Sequence, residues 1–142
     1  MQNLGYYNGK YDEIEKMSIP MTDRVCWFGD GIYDATYAHN HKIFDLENHI
    51  KRFYNSARLL DIKIPVEKEE LAALLKDLVL KVDSGDQFVY MQVTRGSGLR
   101  NHIFDEEMKG NLWITLTVGL ASHREIHSHL ATLTIEVVAK VV

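Results

Sequence analysis

Two amphipathic segments in the middle of the chain constrain its fold more than any other feature. The first begins near Asp45, a candidate N-cap, and the second follows Pro65, which interrupts the chain between them. Apolar residues recur at helical spacing in both segments: Leu46, Ile50, Phe53, Ala57 and Leu60 in the first, and Leu71, Leu74, Leu75, Leu78 and Val82 in the second. We expect residues 84–86 to end the second helix. Each stripe needs an apolar surface to pack against.

β-Structure is favoured on both sides of these helices. Asn8-Gly9 lies between two aromatic stretches and predicts a two-residue hairpin turn. Residues 32–38 predict a strand that turns at 39–42 and returns at 43–44, and three further runs are rich in β-branched and aromatic residues: 88–94, 112–118 and 130–142. We therefore predict an α+β fold, a mostly antiparallel sheet with the two amphipathic helices packed on one face.

Composition excludes several classes of function. The 142 residues are 46% hydrophobic and 25% charged, with a net charge of −4. An acidic balance argues against nucleic acid or an anionic membrane as the main partner, because both require a concentrated basic surface. No apolar run approaches the roughly 18 residues of a membrane span. Cys26, the single cysteine, fits a reducing compartment, and we expect a cytoplasmic protein.

Arg52 lies on the first predicted helix but not on its apolar stripe, being turned about 200° from Ile50 around the helix axis. A solvent-exposed arginine is the simplest interpretation. A phosphate-binding arginine is the functional one, because a guanidinium presents a planar fork that matches two phosphate oxygens. Spacing alone does not decide between them.

A glycine-containing loop follows the predicted strand at 88–94, in the sequence Arg95-Gly-Ser-Gly-Leu-Arg100-Asn-His102. If the backbone is extended there, Arg100 and His102 point to one side with α-carbons about 7 Å apart. Both could then reach one small anion, such as a carboxylate. An ordinary polar loop explains the pattern about equally well.

The segment Phe28-Gly-Asp-Gly-Ile-Tyr33 combines two glycines with an aspartate before a strand. Taken alone it predicts a hairpin-like corner, since a single Gly-x-Gly is weak evidence for a phosphate loop. Cys26 is interpreted as a small buried side chain. Five histidines offer a zinc hypothesis, but we expect surface histidines because no carboxylate or cysteine lies at a matching offset: His39, His41, His123, His127 and His129.

Three of these segments, in this order, resemble the fold-type IV aminotransferases, enzymes that depend on pyridoxal 5′-phosphate (PLP). They are residues 23–33, 49–52 and 93–102, and the similarity extends over most of the chain. The Arg-x-His at 100–102 is similar to the D-amino-acid transaminase branch of the family. The resemblance implies transfer of an amino group between an amino acid and a 2-oxo acid, in a homodimer.

Residue roles follow from the same resemblance. It implies that Arg52 binds the cofactor phosphate and that Tyr33, Arg100 and His102 hold the substrate carboxylate, the last two in the neighbouring subunit's site. Positions that match Ala35 and Tyr37 line the side-chain pocket in the family. The bulk of Tyr37 leaves the preferred amino acid open.

The family's Schiff-base lysine has no counterpart in this chain. Lys140 is the only lysine near the end, and its surroundings do not match the family's lysine segment. We therefore interpret residues 1–142 as an amino-terminal domain, truncated before the lysine-bearing second domain and inactive by itself. Two alternatives remain open: a branched-chain aminotransferase or aminodeoxychorismate lyase of the same family, and a non-catalytic dimerising domain.

Overall fold

The computed structural model describes residues 1–118. A six-stranded antiparallel sheet forms its centre, in the order β2-β1-β6-β5-β3-β4. The strands are β1 (Leu4–Tyr7), β2 (Lys10–Glu13), β3 (Gly31–His39), β4 (Lys42–Ile43), β5 (Gln87–Thr94) and β6 (Asn111–Val118). The helices are α1 (Arg24–Phe28), α2 (Leu46–Leu59) and α3 (Lys68–Val79), and a 3₁₀ turn spans Ile14–Lys16. The predicted α+β class with an antiparallel sheet is confirmed.

Two tight hairpins close neighbouring strands. Asn8 and Gly9 join β1 to β2 with φ of 44° and 91°, and Asn40 and His41 join β3 to β4 with φ of 50° and 58°. Two consecutive residues with positive φ are typical of the type I′ turn, whose twist matches that of the strands it joins. Asparagine and glycine tolerate this region well. Both predicted turns are present.

Helix α2 covers the sheet with the stripe that the sequence predicts. Ile50, Phe53 and Ala57 are buried, while Leu46 and Leu60 are partly buried against them. Asp45 occupies the N-cap position, but its backbone is left-handed (φ 46°) and its side chain accepts a bond from Asn48 Nδ2 instead of capping a backbone N–H.

Helix α3 packs against α2 and the edge strand β4. Glu67 and Glu70 form a reciprocal capping box at its beginning. The prediction that residues 84–86 end this helix is wrong, because it ends at Val79. At this end of the helix, His41 Nδ1 and Gln87 Nε2 both lie 2.8 Å from the Val79 carbonyl oxygen. Side chains distant in sequence therefore supply hydrogen bonds to a carbonyl that has no partner within the helix. Val82 is buried outside the helix.

The two faces of the sheet differ in what covers them. Residues 32, 34, 36 and 38 of β3 are buried beneath the helices, whereas Tyr33, Ala35 and Tyr37 alternate onto the opposite, more exposed face. The antiparallel register places Phe88, Tyr90 and Gln92 of β5 beside them. Trp113 of β6 follows next to Gln92. We call the face with Tyr33, Tyr37, Phe88, Tyr90 and Trp113 the aromatic face.

Helix α1 was not expected from the sequence, and it corrects the interpretation of Cys26. A short helix precedes the predicted corner: Asp23 caps it by accepting a bond from the Val25 N–H, and Gly29 ends it in the left-handed conformation. Cys26 is exposed, not buried, because this helix buries Arg24 and not Cys26.

Several expectations lie outside the described residues: the strand at 130–142, the histidines at 123, 127 and 129, and Lys140. Within residues 1–118, no helix is long and apolar enough to cross a membrane.

Candidate functional site

Arg52 is held by a buried carboxylate on the strand beneath it. Its Nε donates to Asp34 Oδ2 at 2.7 Å and its Nη2 to Asp34 Oδ1 at 2.8 Å, a bidentate ion pair. His49 Nδ1 lies 2.7 Å from the same Oδ1. Because a carboxylate oxygen only accepts hydrogen bonds, we assign the Nδ1 proton of His49 to this contact. One strand residue therefore orients two side chains from successive turns of α2.

The charge of Asp34 is set by opposing effects. Burial raises the pKa of its carboxyl, but hydrogen bonds from His49 and Arg52 and the guanidinium charge outweigh burial, so the pKa lies below its ordinary value. The hydrogen bond to Asp34 raises the pKa of Arg52 in turn. The pair is ionised throughout the neutral range.

Arg52 keeps part of its donor capacity for a ligand. Its side chain is 41% exposed, whereas that of Asp34 is 1% exposed. Only Nε and Nη2 donate to protein atoms among the described residues, which leaves Nη1 accessible. An orientated, partly exposed guanidinium with an unused donor fits one side of a phosphate-binding site.

Tyr33, Ala35 and Tyr37 lie together on the aromatic face. Tyr33 stacks on Tyr90 with ring centroids 5.4 Å apart, and Tyr37 meets Phe88 edge-on at 5.2 Å. Burial and the neighbouring Tyr33 raise the pKa of Tyr90 to about 12. Tyr90 therefore stays protonated and donates to Gln92 Oε1 at 2.6 Å. These contacts form a continuous aromatic surface beside the small side chain of Ala35.

Arg100 and His102 share one ring as a neighbour. The Arg100 guanidinium carbon lies 5.4 Å from the centre of the Phe28 ring, and the His102 ring centre lies 5.4 Å from it as well. Both residues are exposed, and the loop bends there instead of running as the extended strand that their spacing assumed. The two side chains nevertheless contact the same ring, that of Phe28 at the end of α1.

The predicted site residues thus form three groups: Arg52, the residues Tyr33, Ala35 and Tyr37 of the aromatic face, and the pair Arg100 and His102. Arg52 bonds to Asp34 on the helix-covered side of β3, while Tyr33 projects to the aromatic face. No hydrogen bond or ring contact joins Tyr33 to Arg100 or His102 within the described part of the chain. Residues 1–118 therefore do not bring these predicted residues into direct contact with one another.

Sequence reasoning missed the buried polar residues that support these groups. Asp34 and His49 orient Arg52, and a cluster of Arg24, Asp30 and Arg95 holds the loop that carries Arg100. The available signal was strand alternation: Asp34 falls on the apolar side of β3, where a charged residue requires a partner.

No lysine is buried within residues 1–118. The described residues therefore include cationic donors for anions but no desolvated amine for covalent chemistry.

Comparison with known proteins shows the family of this chain. The family model for class IV amino-transferases matches residues 31–140. A D-alanine aminotransferase of Listeria monocytogenes (serotype 4b, strain F2365) is 41% identical over 101 residues, which cover 70% of this chain and 35% of that protein. One from Bacillus licheniformis is 36% identical over 96 residues, covering 68% and 34%.

A solved structure shows the same fold. The branched-chain amino acid aminotransferase of Escherichia coli superposes with a TM-score of 0.74 at 14% identity, covering 82% of this chain and 41% of that one. The chain spans about a third of the length of the D-alanine aminotransferases it matches. Because the family model matches most of its length, the chain belongs to the class IV aminotransferases.

Proposed function

We propose that this chain is the amino-terminal part of a cytoplasmic, homodimeric, PLP-dependent transaminase that transfers amino groups between D-amino acids and 2-oxo acids. Similarity to D-alanine aminotransferases supports the substrate class. The observation that carries the proposal is the Arg52–Asp34 pair, which holds a guanidinium by one edge and leaves the other accessible.

Arg52 would bind the cofactor phosphate. A phosphate dianion is bound best by a cation whose geometry is set in advance, since less side-chain freedom is then lost on binding. Asp34 supplies that order through two bonds and His49 packs beside it. When bound, PLP would supply the electron sink for the reaction at the amino acid's α-carbon.

Arg100, His102 and Tyr33 would bind the substrate carboxylate. Guanidinium, imidazole and phenol groups all donate to a carboxylate, and the charged donors give the stronger bonds. Because no hydrogen bond or ring contact joins Tyr33 to the other two in the described residues, the proposal requires that Arg100 and His102 act in the partner subunit's site. Ala35 and Tyr37 would line the pocket for the substrate side chain.

Chain 1–142 would not catalyse transamination by itself. Proton transfer at the α-carbon requires a base, which in this family is a lysine in the second domain. We therefore expect no conversion of D-alanine and 2-oxoglutarate by the purified chain with added PLP. Conversion above the protein-free rate would contradict this assignment.

The role of Arg52 is tested by binding inorganic phosphate and PLP to the purified chain. Titration followed by the arginine Nε–H NMR signals is expected to give a saturable shift at Arg52. Arg52→Lys keeps a positive charge near Asp34 but removes the planar fork. We expect it to weaken binding by about tenfold, the effect of losing one charge-assisted bond.

Arg58→Lys is the matched control. Arg58 lies on the same helix, is exposed, and within residues 1–118 donates only to Asn55. Its replacement should leave phosphate affinity unchanged. Equal affinity in the wild type and in Arg52→Lys would remove Arg52 from the proposed phosphate site.

A further inference from the structure

Arg24 is buried at the end of the sheet and bonds to the loop that carries Arg100 and His102. Its side chain is 5% exposed. Nε donates to Asp30 Oδ2 at 2.7 Å, and Nη1 donates to the backbone carbonyl oxygen of Asn101 at 2.6 Å. Asn101 is the residue between the two proposed carboxylate ligands, so this bond acts on the backbone that both share.

The same carboxylate also binds a second arginine, which has a different task. Arg95 Nε lies 3.0 Å and 2.9 Å from the two oxygens of Asp30. Its other nitrogens donate to the carbonyl oxygens of Leu60 and Asp61, which follow α2. Arg95 therefore ties the sheet end to α2 by hydrogen bonds, and its guanidinium carbon lies 3.8 Å from the centre of the Phe104 ring. Arg24 differs in bonding directly to the loop backbone at residue 101.

Ring contacts bring Arg24 and the loop side chains of Arg100 and His102 to the same aromatic ring, that of Phe28. The Arg24 guanidinium carbon lies 4.7 Å from the centre of the Phe28 ring, against which Arg100 and His102 also pack. Phe28 ends α1, the helix that begins with Arg24. One short helix therefore supplies both the backbone anchor and the ring surface for this pair.

We propose that Arg24 is a positioning residue that holds the Arg100–His102 loop in its anion-binding arrangement. The proposal builds on the carboxylate role of that pair. Two buried guanidiniums on one carboxylate leave a local excess of positive charge, a costly arrangement for stability alone. Binding the Asn101 carbonyl gives Arg24 a specific use that Arg95 does not share.

Arg24→Lys tests the proposal on the 142-residue chain. An ammonium keeps the charge beside Asp30 but cannot span both Asp30 and the Asn101 carbonyl. We expect the ¹⁵N order parameters of Asn101 and His102 to fall from roughly 0.85 to below about 0.6. The His102 ring-proton shifts caused by Phe28 should move towards those of a free histidine.

Arg95→Lys is the matched comparison, since it disturbs the same cluster and the ring contact with Phe104 but leaves the bond to the Asn101 carbonyl in place. It is expected to lower the unfolding midpoint while order at Asn101 and His102 is retained. Unchanged loop order in Arg24→Lys would overturn the proposal. An equal loss of order in both variants would overturn it too, because the loop would then follow overall stability.

Acetate, a simple carboxylate, separates this proposal from the one on which it builds. In the wild type, a saturable shift of the His102 signals with acetate is expected, with affinity about tenfold weaker in Arg24→Lys. Acetate affinity that is equal in the two proteins would overturn the positioning role. If the wild type shows no acetate shift, the carboxylate role of the pair fails, and the order parameters alone decide whether Arg24 positions the loop.

Discussion

Gly31, the first residue of β3, lies where a side chain has no room. A β-carbon there would come within 2.8 Å of the Val93 carbonyl oxygen on the paired strand. We expect Gly31→Ala to lower the free energy of unfolding by about 1–3 kcal/mol, the usual cost of forcing extra atoms into packed structure. Urea denaturation followed by circular dichroism measures this difference.

A glycine with a yielding neighbour provides the control at this scale. At Gly98, the only atom of the described part of the chain that a β-carbon would approach is Met108 Cε, the end of a flexible side chain. Gly98→Ala should therefore change stability by less than about 0.5 kcal/mol. Equal stability of Gly31→Ala and Gly98→Ala would show that the close approach of β3 and β5 does not require a glycine at residue 31.

At the scale of the elements, Phe53 joins α2 to the sheet. Its side chain is fully buried in the core that both helices share with the sheet. Truncation to alanine removes buried surface and leaves a cavity, so Phe53→Ala is expected to cost about 3–5 kcal/mol. Phe44→Ala, at a 58% exposed phenylalanine, should stay within about 0.5 kcal/mol of the wild type. Similar losses of stability in Phe53→Ala and Phe44→Ala would contradict the packing of α2 on the sheet through Phe53.

Elements governed by local sequence were predictable, and those governed by distant partners were not. The Asn8-Gly9 turn and the stripe through Ile50 and Phe53 depend on neighbours within a few residues. Helix α1 was missed because its cap, Asp23, is fixed by Thr94 Oγ1 and Asn111 Nδ2, which are distant in sequence.

The candidate site shows the same contrast between features set by local sequence and features set by distant partners. Resemblance to the family indicated Arg52, but its position about 200° from Ile50 did not reveal Asp34 as its partner, because the long side chain reaches back to the strand. The resemblance also indicated Tyr33, Ala35 and Tyr37, which alternate onto one face of β3 in the structure. The Arg24 bond to Asn101 joins residues whose pairing no local pattern expresses.

At the scale of the whole molecule, the Asp34–Arg52 pair makes stability depend on pH. Folding lowers the pKa of the Asp34 carboxyl from about 3.9, the value of an unfolded aspartate. Its stabilising contribution is therefore complete above about pH 4 and is lost as the pH falls through the folded value. Asp34→Asn removes that contribution at every pH.

We expect Asp34→Asn to cost about 1–3 kcal/mol at pH 7, less than a fully buried pair because Arg52 is 41% exposed. The difference in unfolding free energy between wild type and variant should narrow as the pH falls from 5 to 3, because protonation of Asp34 removes its contribution. Other carboxyls titrate in both proteins and therefore do not change this difference. Urea denaturation across this range measures the gap. Asp77→Asn, which breaks a surface pair with Lys81, should cost less than about 0.5 kcal/mol at each pH. A gap for Asp34→Asn that stays constant down to pH 3 would mean that ionised Asp34 does not stabilise the fold.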